Sequence, residues 1–256
     1  MLRTIVVIAA FVSATFSANP LMTKYADMQS PCVKQCADKL VNVSTSIDFT
    51  KNTNFGQRFS HLDGICRNIS VARQCVNDCK VSFNMFDMKA MKVMCVEKTL
   101  AELKTHQSCY DGKSKVMNKI CDKRCGGKIE DTETKLKHIV NASKTTAEDI
   151  EASMTAAADA CELSKCHARC SRDTYSLLCK ESDPQASAFL QKYIEDILKA
   201  VSDDFTELGM RSVLKAIMPK QCHYIFRPAA FFKDLPESEE NDAGQGALAA
   251  LFQNPQ

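Results

Sequence analysis

Eight of the fourteen cysteines in this chain fall in four Cys-x-x-x-Cys pairs: Cys32/Cys36, Cys75/Cys79, Cys121/Cys125 and Cys166/Cys170. A spacing of four sets both thiols on one helix face, a turn apart. A second helix running antiparallel with the same spacing can then be stapled to it twice. In such a hairpin the first thiol of one pair meets the second thiol of the other. The expected bridges are therefore Cys32–Cys79 with Cys36–Cys75, and Cys121–Cys170 with Cys125–Cys166. Cys66, Cys95, Cys109, Cys161, Cys179 and Cys222 stand alone, and the even total allows seven bridges.

The chain opens MLRTIVVIAAFVSATFSA, with Arg3, an apolar run from Ile5 to Val12, and then small residues. This is the order of a secretory signal peptide, with cleavage expected after Ser17 or after Ala14. The run is too short to cross a hydrocarbon core that needs about 20 residues, so no membrane span is expected. Export to an oxidising compartment makes the cysteines a disulfide framework. Zinc binding is the competing reading, but structural zinc sites mostly use the shorter Cys-x-x-Cys knuckle. We expect neither metal nor cofactor.

Eight glycines and seven prolines in 256 residues, with Ala, Lys, Leu and Met common, point to helices. Alternating Val, Ile, Thr and aromatic runs of the strand type are scarce. The expected fold is all-α, built from disulfide-stapled helical hairpins. The net charge is +2, or +1 once Arg3 leaves with the signal, which argues against a nucleic-acid partner.

Divided after Cys109, the cysteines form two sets of seven. Each reads pair, long gap, single, short gap, pair, then two singles. This suggests two diverged repeats packed together, and one continuous helical domain is the alternative. The expected organisation is a signal peptide at 1–17, a linker at 18–30, cysteine-rich helical repeats at 31–115 and 116–226, and an acidic disordered tail at 227–256. Three singles in each half would force one bridge to cross between the halves. Cys109 with Cys222 is the expected crossing, leaving Cys66–Cys95 and Cys161–Cys179.

Local signals add detail. Thr145-x-x-Glu148 reads as a capping box. Ser182-Asp183-Pro184 reads as a cap with proline in the first turn. Beyond it Phe189, Tyr193, Ile194, Ile197, Leu198, Val201, Phe205 and Leu208 recur at helical spacing, and Gly209 should end that helix. Phe83, Phe86, Ala90 and Met94 form a weaker stripe. Lys233 to Asp242 holds five acidic residues against one lysine, a composition that cannot order itself.

Catalytic signatures are missing. His61, His106, His138, His167 and His223 form no His-Glu-x-x-His, and no Gly-x-Ser-x-Gly or glycine-rich phosphate loop exists. His167, between Cys166 and Cys170, is followed by no Asp and reads as an exposed helix residue. Three sequons, at Asn42, Asn68 and Asn141, are candidate N-glycosylation sites. Asn68 is the weakest, two residues beyond Cys66. Lys104 to Lys128 carries seven basic residues against Asp111 and Asp122. That excess suits a sulfated polysaccharide, while a solvated helix face is the plainer reading.

The signal peptide, the Cys-x-x-x-Cys pairs, the polar helices between them and the closing Pro219-Lys220-Gln221-Cys222 resemble the nematode secreted cysteine-rich proteins with a chondroitin proteoglycan 4 domain. The resemblance covers about Pro31 to Phe226 and rests on cysteine order. It implies a non-enzymatic extracellular protein of matrix or eggshell, in which the cysteines are structural. Chondroitin is attached at Ser-Gly, a dipeptide this chain lacks, and Glu239 follows Ser238 in its acidic tail. A helical module holding lipid or another small ligand behind the Phe189–Leu208 stripe is the second reading. A secreted enzyme is the third.

Overall fold

A computed structural model describes residues 31–36, 62–81, 84–128 and 147–233. Its helices are α1 (31–36), α2 (Leu62–Asp78), α3 (Lys89–Met94), α4 (Glu97–Cys125), α5 (Ala147–Leu178), α6 (Ala186–Glu207) and α7 (Arg211–Ile217). Short 3-10 turns lie at Met85–Asp87, Lys220–Phe226 and Pro228–Ala230. No strand occurs among the described residues. The chain is an all-α protein held by disulfides, as the cysteine spacing requires.

All fourteen cysteines are paired and none is free. The four hairpin bridges are Cys32–Cys79, Cys36–Cys75, Cys121–Cys170 and Cys125–Cys166, with Cα separations of 5.7–5.8 Å. Those separations lie in the middle of the usual disulfide range. α1 is thus stapled antiparallel to α2, and α4 to α5. Cys66–Cys95 also forms as expected.

The last two bridges differ from expectation. Cys109 joins Cys179, and Cys161 joins Cys222. The register of the α4–α5 hairpin explains the exchange. Each step back along α4 is a step forward along α5. Twelve residues back from Cys121 stands Cys109, and twelve beyond Cys170 stands Ser182, one turn past Cys179. Cys161 lies toward the opposite side of α5 from Cys166 and Cys170, so it faces away from α4 and meets the closing 3-10 turn. Cys66 stands in the same relation to Cys75 and Cys79 on α2. Both helices are therefore bridged on two faces.

The boundary expected at 115–116 falls inside α4, which runs through it unbroken. Cys109–Cys179 crosses that boundary, but Cys109 rides on the same helix as Cys121 and Cys125. The bridges group the cysteines as six (Cys32 to Cys95) and eight (Cys109 to Cys222), each set closed within itself. No bridge spans residues 96–108. Between the two sets of seven, one bridge does cross from Cys109 as the odd count demands, with Cys179 as its partner in place of Cys222.

α6 is the centre of the main core and packs against α3, α4, α5 and the closing turns. Seven of its eight stripe residues are buried, and Leu208 at the helix end is exposed. Gly209 follows at φ +66°, a left-handed conformation that glycine adopts without a Cβ clash. The cap expected at Ser182-Asp183-Pro184 is not formed. α6 begins at Ala186 behind Gln185, with no side-chain cap. The Asp183 carboxylate instead accepts from Nδ1 of buried His106 at 2.8 Å, a donor that would otherwise lack water.

A second, smaller core of Val33, Cys36, Ala72, Val76 and Phe86 fills the α1–α2 hairpin. Phe86 belongs to this cluster while Ala90 joins the main one, so the weaker stripe is split between two cores. Phe83 and Thr145 lie outside the described residues. So do the signal peptide, the linker at 18–30, Asn42 and Asn141.

Order also continues past the expected start of the tail at 227. Phe231 and Phe232 are buried. Arg169 on α5 donates to the carbonyls of Phe231 at 2.6 Å and Lys233 at 2.9 Å, and Arg172 lies 5.0 Å from the Phe232 ring centre. Two adjacent phenylalanines supply the apolar area that the acidic residues after them lack. Residues 234–256 lie outside the described part.

The basic face of helix α4 as candidate functional site

The Lys104–Lys128 stretch is α4 and the turn after it. Leu103, His106, Cys109, Tyr110, Ser114, Met117 and Cys121 point into the core. The opposite side of the cylinder then carries Lys115, Lys119 and Lys123, all exposed and spaced by four. Gly126 at φ +73° ends the helix, and the Gly127 amide donates back to the Asp122 carbonyl at 3.2 Å. This brings Lys128 alongside the last turn. An open trough of about 620 Å³ results, lined by the four lysines with Asn118, Asp122 and the two glycines.

The fold sorts the basic residues of this stretch. Lys104 is paired with Asp63 at 2.8 Å and Arg124 with Asp173 at 3.5 Å. Lys115, Lys119 and Lys123 have no ion-pair partner among the described residues. Among the described residues the trough is therefore a positive surface with a single carboxylate, that of Asp122, in its lining.

His167 is buried rather than exposed. Its Nε2 donates to the Gly127 carbonyl at 2.8 Å and stands 3.8 Å from an Asp122 oxygen. It pins the turn that closes the trough, and a ring nitrogen held this way is not offered to a substrate. The stapled hairpin puts the Cys166–Cys170 turn of α5 against α4, which is why the residue between those cysteines turns inward. His223 is partly buried, and that burial holds its pKa below the ordinary value despite a bond to the Met218 carbonyl.

The sulfurs of Cys32, Cys36 and Cys79 lie within 4.8 Å of one another. All three are consumed by the bridges to Cys79 and Cys75, so they supply no thiolate to a metal. Asn68 sits within α2 and is half-buried, on the helix that Cys66 ties to Cys95.

Two features escaped sequence reasoning. Asp204 on α6 is buried, and its two oxygens accept from the backbone amides of Lys89 at 2.9 Å and Ala90 at 3.1 Å. It caps the N-terminus of α3 from another helix, and Lys89 also pairs with Glu207. The signal was legible: Asp204 stands three residues past Val201, inside the apolar stripe. Tyr175 is wholly buried with no partner for its hydroxyl among the described residues, and its ring meets Tyr110 edge-on at 5.0 Å. No sequence pattern foretells that orphan.

No helix among the described residues is long and apolar enough to cross a membrane. The fold and the site define a disulfide-stapled helical protein that presents a basic helix face. Comparison with protein-family models, with curated proteins and with solved structures finds no match.

Proposed function

We propose that the chain is a secreted, non-enzymatic structural or interaction protein that associates with extracellular matrix, as its resemblance to the chondroitin proteoglycan 4 domain proteins implies. The observation that carries this reading is the closure of all fourteen cysteines into seven bridges. Such a density of cross-links is consistent with an oxidising compartment and serves durability there. The buried histidines agree with a non-catalytic role, since His106 and His167 are spent on structural hydrogen bonds. The α6 stripe packs against neighbouring side chains, with Phe189 5.0 Å from His106 and Phe205 6.3 Å from Phe226. That packing favours a filled core over a lipid cavity.

The full chain expressed through a secretory pathway should emerge with its N-terminus near Ala18. Denatured without reductant, it should show no thiol that reacts with a maleimide. Retention of Met1, or reactive thiols at one or more per chain, would overturn the reading. Peptide mapping of the same sample should find glycan at Asn42 and Asn141 rather than at Asn68.

A further inference from the structure

We infer that Lys115, Lys119 and Lys123, completed by Lys128, form a binding site for a linear sulfated polysaccharide, lying along the outer face of α4. This inference rests on the extracellular reading above and names the partner of that surface. Four-residue spacing on a helix sets successive ammonium groups about 6 Å apart along the axis, so the three lysines form a row about 12 Å long. A row of charges in an open trough, with no ion-pair partner among the described residues, matches a chain of regularly placed anions better than a single phosphate, which would want convergent donors in a closed pocket.

Helix stability does not account for the row. Basic residues near a C-terminus offset the helix dipole only within the last turn, which here holds Lys123 and Arg124. Lys115 and Lys119 lie beyond that reach. Nor do they make an ion pair among the described residues, while Lys104 and Arg124 on the same helix reach Asp63 and Asp173 on its neighbours. The trough lining contains no aromatic ring, so a nucleic acid would gain charge contact but no stacking. Val116 and Ile120 are exposed beside the row, which makes an anionic lipid surface the rival partner.

The test uses the purified mature protein with heparin, desulfated heparin and phosphatidylserine vesicles as probes. The variant replaces Lys115, Lys119 and Lys123 by Gln. Its control replaces Lys98, Lys180 and Lys199, which are equally exposed and remove the same charge. We expect the first triple to bind heparin at least about tenfold more weakly at roughly 0.1 M salt, with a shallower dependence of affinity on salt by nearly one unit per lysine. The control should stay within about twofold. Equal losses in both triples would mean diffuse charge and no site. Equal binding of desulfated heparin, or vesicle binding without heparin binding, would also overturn the proposal. These outcomes do not depend on where the N-terminus is cleaved, so failure here and failure of the export reading are separable.

Discussion

Replacing Cys161 and Cys222 together by Ala should cost about 4 kcal/mol, while replacing Cys121 and Cys170 should cost about 2.5 kcal/mol. The two pairs are matched for burial, since all four residues are 0–1% exposed. They differ in the loop each closes in the unfolded chain. Cys161–Cys222 ties ends 61 residues apart, and no other bridge offers a shorter path between them. Cys121–Cys170 has a nominal separation of 49 residues, but Cys125–Cys166 already holds the inner part. What remains is the four-residue step at each side, a small loop with little entropy left to remove. Guanidinium unfolding of both double variants measures the difference. Equal losses, or a reversed order, would mean that native packing around the sulfurs outweighs loop closure.

Asp204→Ala should destabilise by about 2–3 kcal/mol, because it strands two amide donors at the start of α3 in a buried setting. Asp204→Asn keeps one acceptor and should cost about 1 kcal/mol. Glu207→Gln removes only the exposed ion pair with Lys89 and should leave the unfolding midpoint unchanged. Backbone amide exchange locates the effect: protection should fall from Ala90 to Met94 in the alanine variant, ahead of α5. If stability drops without selective loss there, Asp204 supports the core generally and is not a cap.

The parts of the fold that were legible are those governed by local spacing. Four hairpin bridges follow from Cys-x-x-x-Cys because helix pitch alone places the thiols, and the α6 stripe follows from the same periodicity. Cys66–Cys95 was legible as neighbouring singles in one set. Cys109–Cys179 required one more step, extending the hairpin register along α4, and treating the cysteines as two equal sets hid it. Asp183 was misread because an aspartate before a proline satisfies a local cap and a distant histidine equally well on paper. Only the packed structure shows that His106 needed it more. His167 failed for a related reason: its facing is set by the bridges on either side, not by its own polarity. The lysine row was visible as composition, yet which lysines remain unpaired depends on Asp63 and Asp173, far away in the chain.

The grouping of bridges into six and eight cysteines leaves a single covalent seam. A protease that nicks the backbone anywhere between residues 96 and 108 divides the protein into two pieces with no sulfur link between them. A nick in the segment joining α4 to α5 leaves both sides tied through Cys121, Cys125 and Cys109. The first turns of α4 are therefore the one stretch between Cys32 and Cys222 where peptide bonds alone hold the molecule together. Across that seam the pieces meet through α3 on α6, where the Asp204 carboxylate grips two amides. Of that stretch only Leu103 and His106 are buried, so the unbroken backbone ladder of one helix is what makes seven bridges act as one framework.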